Sequence, residues 1–174
     1  MIINAAKELD LNNLMYAIAS VWVCVQMRFW IEVIRGEWNW DNSLAGKRCL
    51  NAPNKSRYLK FFEGIRVGDL ALHYLASWDT LTKNKKSSVV GISKIDSEVA
   101  EEGFKIIAKI KDVKELERPV SFSELKQIDG KSQNLEKLVK TSMQLYLTEI
   151  TRQDFEKILK IHQENESMIS EFIF

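Results

Sequence analysis

The sequence predicts an α+β domain built around a mixed or antiparallel sheet. Short apolar and β-branched runs occupy the middle of the chain, at residues 28–34, 70–76, 89–95 and 104–113. Helical signatures lie between and after them, including two Ser or Thr residues each followed three positions later by an acid. Strands that cluster in the middle, with helices between them and at the ends, indicate segregated rather than alternating elements. There is no internal repeat and no low-complexity segment.

The first 26 residues read as an extension. Asp10 can cap a helix in which Leu11, Leu14, Met15, Ile18, Trp22 and Val25 share one stripe. The run VWVCV within it suits a strand equally well. The extension could serve as a packing helix or a dimer contact, or reflect an over-called start codon. Its apolar stretch, residues 14–27, is too short for a membrane span and lacks a positive flank, so the cytoplasm is expected. Residues 28–34 (RFWIEVI) are a buried strand, and residues 36–56 a loop rich in Asn, Gly and Pro. Tyr58 to Phe62 form an apolar helical turn. Gly68 then supplies a turn into the strand LALHYLA, with Asp69 as a structural residue of that turn.

Residues 77–88 form a polar loop, and residues 89–95 return as a strand. The strand at 104–113 is expected to end before Pro119. Ser121 with Glu124 gives a capping box for a short helix, and residues 133–140 another helical turn. Residues 142–150 are a strand. Thr151 with Asp154 caps an amphipathic closing helix carrying Phe155, Ile158, Leu159 and His162. The expected organisation is an extension at 1–26, a domain at 27–162 and a tail at 163–174.

Composition narrows the function classes. The 174 residues carry 25 Lys plus Arg against 24 Asp plus Glu, a net charge of +1, which disfavours broad neutralisation of a nucleic-acid backbone but permits a local basic patch. Two cysteines and two histidines are too few for a disulfide framework or a structural zinc site, so no metal or other cofactor is expected. No P-loop, nucleophile elbow or deaminase zinc signature is present, so no catalytic residues are assigned.

The order of segments resembles the EVE domain, a relative of the YTH domain within the PUA-like superfamily. The resemblance rests on Arg66-Val67-Gly68-Asp69-Leu70, Val90-Gly91-Ile92, Pro119-Val120 with Glu124-Leu125-Lys126, Ser142-Met143, and Phe155-Glu156-Lys157-Ile158-Leu159. These pieces span residues 27–159. Where EVE domains usually carry a G-V-W-G-like element followed by Asn, this chain has GEWNWDNSLAGKRCLNAPNKS, so either Trp38 or Trp40 could take the pocket position. The resemblance implies a pseudobarrel, with a mixed sheet surrounded by short helices. It implies binding of nucleic acid through a pocket suited to a modified base, without catalysis, as in the targeting domains of modification-dependent restriction systems.

Three of the five Trp, Trp38, Trp40 and Trp78, fall in predicted loops that follow strands. Indoles stack on an extruded base, and a methylated base adds apolar, partly positive surface that an aromatic cage favours. The competing reading is that they cap the sheet as core, as Trp22 and Trp30 are expected to do. Asn39 could read a base edge, as could Asp41, Asn42 and Asn51, although such residues more often form turns. Ser142 and Met143 stand where the family places a short element near its pocket, while a core Met is the commoner case. His73 could meet a ligand, but an internal hydrogen bond is the commoner role.

Cations accompany both Trp loops: Lys83, Lys85 and Lys86 after Trp78, and Lys47, Arg48, Lys55 and Arg57 after Trp40. Such residues grip phosphates beside a stacked base, or simply keep a loop solvated. The leading expectation is a non-catalytic module that binds a modified base in DNA and targets a separate nuclease or NTPase. Recognition of modified RNA, a hidden nuclease or hydrolase, and dimerisation through the 1–26 stripe are the competing readings.

Overall fold

The computed structural model describes residues 27–34, 49–76 and 87–173. The expected helix at 1–26, and the two Trp-bearing loops apart from their return residues, lie outside the described residues. The elements run β1 (Phe29–Ile34), β2 (Cys49–Pro53), α1 (Ser56–Phe62), β3 (Leu70–Leu75), β4 (Ser88–Ile95), β5 (Ala100–Glu102), β6 (Lys105–Ser121), α2 (Phe122–Gln127), α3 (Gln133–Lys140), β7 (Leu147–Ile150), α4 (Arg152–Leu159), a 3-10 turn (Gln163–Asn165) and α5 (Ser167–Ile173). This is the expected α+β class. One mixed sheet has the order β2-β6-β4-β3-β1-β7, with β5 also on β6. Only β1 and β3 pair in parallel among the described strands, with Phe29 opposite Leu70 and Ile34 opposite Leu75.

The central strands are apolar on both faces because both faces are covered. Phe29, Ile31 and Val33 of β1 join Leu70, Leu72 and Tyr74 of β3 in the larger core, against Leu125, Leu135, Leu138, Phe155 and Ile158 of α2–α4. Phe29 and Phe155 meet with ring centroids 4.9 Å apart. The alternate residues Trp30 and Ala71 face the other way, into a second core with Leu50, Ala52, Ile95, Ile106, Ala108 and Leu147. Phe62, at the end of α1, closes that core beside the edge strands β2 and β7.

Four sequence expectations are corrected, three in the sheet and its loops and one at the C-terminal end. Pro119 does not stop a strand, because β6 runs on to Ser121. Gly91 pairs with Glu115 and Val89 with Val120, so residues 116–119 oppose Val90 alone, in a bulge where a missing N–H costs no ladder bond. The outer edge there is covered by Asn165, whose side-chain amide donates to the Arg118 carbonyl at 2.8 Å and accepts from the Arg118 N–H at 3.2 Å. The loop at 36–56 contains β2, whose CLNAP has little strand propensity and is extended by pairing with residues 105–109. The strand expected at 142–150 is only Leu147–Ile150, because Ser142 and Met143 close helix α3 instead.

Beyond α4, the residues expected as a tail fold as the 3-10 turn and α5. Their Met168, Phe172 and Ile173 are buried in the larger core, an amphipathic pattern too short to stand out in the sequence. Both predicted capping boxes are present. Ser121 Oγ accepts from the Glu124 N–H, and the Glu124 side chain accepts from the Ser121 N–H at 2.8 Å. Thr151 and Asp154 repeat the arrangement at α4.

Asp154 also joins two helices, since its second oxygen accepts from the Ser132 N–H at 3.1 Å at the start of α3. Burial works to raise its pKa, but the hydrogen bonds from Ser132 and Thr151 outweigh it and hold the carboxyl below the usual carboxylate range. A lowered folded-state value stabilises the fold above the ordinary carboxylate pKa, and that contribution is lost as pH falls through the lowered value. Asp154→Asn is therefore expected to cost about 1–2 kcal/mol at neutral pH and much less near pH 2. Urea titrations at the two pH values test this, and an equal loss at both would contradict it.

Candidate nucleic-acid interface

The end of the sheet at which β1 and β3 finish carries both Trp-bearing connections. The strands are parallel neighbours, and the Ala76 N–H donates to the Ile34 carbonyl at 2.9 Å. The last described residues before the two connections, Ile34 and Ala76, therefore lie side by side. The second connection returns at Ser87, whose φ of +53° turns the chain into β4. Below this end, Ile34, Leu75 and Val90 form a small apolar layer against Val113.

A third segment reaches the same end. β7 runs antiparallel to β1, and the Val33 N–H donates to the Tyr146 carbonyl at 2.8 Å, so residues 142–146 lie beside or beyond the last residues of β1. Helix α3 ends in two hydrogen bonds, Ser142 N–H to the Val139 carbonyl at 3.0 Å and Met143 N–H to the Leu138 carbonyl at 2.9 Å. This is the Schellman arrangement, which puts its first residue in the left-handed region normally given to glycine. Ser142 has φ +52° and Met143 φ +58°. Ser142 is exposed. The Met143 side chain is buried in the larger core, the neighbour of Leu138 that this motif brings in.

Trp38, Asn39, Trp40, Asp41, Asn42, Lys47, Arg48, Trp78, Lys83, Lys85 and Lys86 lie outside the described residues. Lys55 is exposed at the N-cap of α1 without a side-chain cap bond, and Arg57 belongs to α1, its side chain outside the description. Asn51 is half-buried in β2, with its amide 3.7 Å from Cys49 Sγ. Trp30 is buried as expected.

Beneath the small apolar layer runs a polar chain in which His73 makes the internal hydrogen bonds expected of it, to partners the sequence did not name. Glu32, His73 and Ser93 stand on the adjacent strands β1, β3 and β4. His73 Nδ1 donates to Glu32 Oε2 at 2.8 Å, and Ser93 Oγ lies 2.9 Å from Nε2. His73 and Ser93 are each 0% exposed, which makes this an internal strut across three strands rather than a displayed nucleophile. The period of two could have flagged it, because Glu32 falls between inward-facing Trp30 and Ile34, and His73 between Ala71 and Leu75. Tyr74, at the same end, is a buried phenol pushed up by desolvation and partly brought back by Ser87.

At the opposite end Asp69 ties the parallel pair together. Its carboxylate accepts from the Arg28 N–H, the Trp30 Nε1–H and the Arg66 N–H, each at 2.9 Å, and it is 1% exposed. Among the described residues no three His, Cys, Asp or Glu side chains are placed to hold a metal, and no helix is long and apolar enough to cross a membrane.

The fold aligns with known structures. Human THYN1 in complex with 5-methylcytosine-containing DNA aligns over 78% of this chain and 98% of its own, at 16% identity and a TM-score of 0.56. The N-terminal domain of McrB from Staphylothermus marinus aligns over 77% and 94%, at 13% identity and a TM-score of 0.52. A protein from Rhodopseudomonas palustris aligns over 78% and 92%, at 21% identity and a TM-score of 0.55. At these identities the likeness establishes a shared fold. No curated protein sequence matches the chain. The EVE domain model matches residues 28–161, from the residue before β1 to two residues past α4. By that match, which takes in every strand of the sheet, the chain belongs to the EVE domain family.

Proposed function

We propose that this chain is a non-catalytic, cytoplasmic nucleic-acid-binding module that takes one modified base into an aromatic pocket, with methylated DNA as the favoured ligand. Trp38 or Trp40 and Trp78 stack on the base, Asn39 and Ser142 supply polar contacts, and Met143 backs the segment that carries Ser142. Lys47, Arg48, Lys55, Arg57, Lys83, Lys85 and Lys86 hold the flanking phosphates. The module directs a separate nuclease or NTPase to modified sites. The observation that carries this reading is the pairing of Ile34 with Leu75, which starts both Trp-bearing connections from neighbouring strand ends. THYN1, with the same fold, is known in complex with DNA containing 5-methylcytosine, which supports DNA as the ligand.

The test is binding to duplexes that differ only in one methylated base. Trp78→Ala, and Trp38→Ala with Trp40→Ala, are each expected to weaken the methylated duplex ten- to a hundredfold, from about 1–3 kcal/mol per stacked base. Unmodified duplex should bind weakly to all forms. Equal affinity of the parent and both variants for methylated duplex would remove the pocket. Competition by single-stranded RNA better than by methylated DNA would assign the site to RNA, because only RNA offers the 2′-hydroxyl.

A further inference from the structure

At the end of the sheet away from Ile34 and Leu75 a groove of about 790 Å³ opens between the start of β1, the turn before β3, the end of β7 and the first residues of α3 and α4. Three arginines line it, Arg28, Arg66 and Arg152, against a single lining carboxylate, Glu149. In a chain whose net charge is +1, this is a local concentration of cations.

The three guanidinium groups are held differently. Arg28 sits over Gly64, where a Cβ would collide with the guanidinium, and its Nη1 lies 3.7 Å from Glu149 Oε2. Arg152 Nε donates to Glu156 Oε1 at 2.7 Å, from the first turn of α4. Arg66 is fixed through its backbone, whose N–H donates to the buried Asp69 carboxylate, while its side chain is exposed. Among the described residues no carboxylate lies within ion-pairing distance of the Arg66 guanidinium. The wall opposite is the first turn of α3. Ser132 Oγ accepts from the Leu135 N–H at 3.3 Å, which leaves the N–H groups of Gln133 and Asn134 turned outward without an acceptor among the described residues. Donors therefore outnumber acceptors around one open volume, and a planar guanidinium fork matches the paired oxygens of a phosphate.

We propose that this groove binds a phosphate group, with Arg66 as the principal contact and Arg28 and Arg152 flanking it, and that the phosphate belongs to the nucleic-acid backbone. The second half of this statement rests on the nucleic-acid reading above; the first does not. β1 has six residues, so the groove lies about 20 Å from the Trp-bearing end at roughly 3.3 Å per residue. On a duplex rising about 3.4 Å per base pair, that is roughly six base pairs from the recognised base. The contact therefore requires a long enough duplex.

The experiment measures binding of the full chain to a 16-base-pair and a 6-base-pair duplex, each with one central methylated base, at several salt concentrations. A parallel arm follows the Gln133 and Asn134 amide resonances during titration with inorganic pyrophosphate. Arg66→Gln with Arg152→Gln is expected to weaken the long duplex about tenfold and flatten its log-affinity against log-salt slope by one to two, without affecting the short duplex. Pyrophosphate should shift both amides in the parent and not in the double variant. Glu149→Gln, which removes the one lining carboxylate, is expected to tighten the long duplex several-fold, a gain that a damaged fold does not produce. If the double variant binds the long duplex with parental affinity and slope while Trp78→Ala loses it, the groove assignment is overturned and the base pocket stands. If the arginine variant loses binding and the Trp variants do not, the groove stands and the base pocket falls. Amide shifts with pyrophosphate but no change with either duplex overturn the backbone as the source and leave a small phosphate ligand. Amides that do not respond to pyrophosphate in the parent overturn the phosphate site itself.

Discussion

Asp69→Ala is expected to destabilise the fold by about 3–5 kcal/mol, measured as a drop in urea midpoint at unchanged slope. The carboxylate satisfies three N–H groups at once, from Arg28, Trp30 and Arg66. A buried donor left without a partner costs about 1–3 kcal/mol. The total falls in the lower part of about 3–9 kcal/mol for three such losses because Arg28 is only half-buried and Arg66 is exposed, so water reaches part of the site. The position matters beyond its bonds. The Leu70 N–H donates to the Arg28 carbonyl at 3.0 Å, so Asp69 fixes the first rung of the parallel β1–β3 pair. Parallel strands gain no register from a tight turn between them, and here 35 residues separate Ile34 from Leu70. Asp69→Asn keeps an acceptor but presents an amide to donors, and should lose roughly half as much. A loss under about 1 kcal/mol for the Ala variant would show that the pair is registered by packing alone.

The second large effect is expected at the Glu32–His73–Ser93 chain. His73→Leu should cost about 2–4 kcal/mol, because it removes the 2.8 Å hydrogen bond to the Glu32 carboxylate, 8% exposed, and the contact with Ser93 inside the sheet. Replacing both residues, Glu32→Leu with His73→Leu, should cost less than the sum of the two single changes, since the hydrogen bond between them is lost only once. The cycle of single and double variants, measured by urea denaturation, is therefore expected to show a coupling of about 1–3 kcal/mol. Strict additivity would mean that the two side chains do not support one another. The chain also supports the small apolar layer from which both Trp-bearing connections start. Single variants that still fold are expected to show weaker binding of methylated duplex than their stability loss alone explains.

The fold was largely legible because its signals are local. Phe29–Ile34, Leu70–Leu75 and Ser88–Ile95 are buried on both faces and read as continuous apolar runs. The Ser121/Glu124 and Thr151/Asp154 boxes announce their helices through residue types three positions apart. Legibility failed where an element exists only through its neighbour. Cys49–Pro53 is a strand because β6 lies beside it, and Pro119 is tolerated because a bulge removes the need for its N–H. Ser142 and Met143 looked like strand, with alternating polarity, but the termination of α3 decided their backbone.

The candidate site divides the same way. Clusters of Trp and Lys are visible in sequence because they are close along the chain. Glu32 and His73 stand 41 residues apart, and Arg28, Arg66 and Arg152 come from three distant segments of the chain, so none of these groupings has a sequence signature. By itself the sequence determined the class, the helix caps, the family resemblance and the near-neutral charge, all of which follow from short-range pattern or composition. Only the tertiary structure decided that β1 and β3 end side by side, that a lone histidine is tied to a buried carboxylate, and that three arginines face one groove. Strand pairing joins distant residues through backbone hydrogen bonds, which carry no record of their partner in the side chains, so those juxtapositions exist only once the sheet has formed.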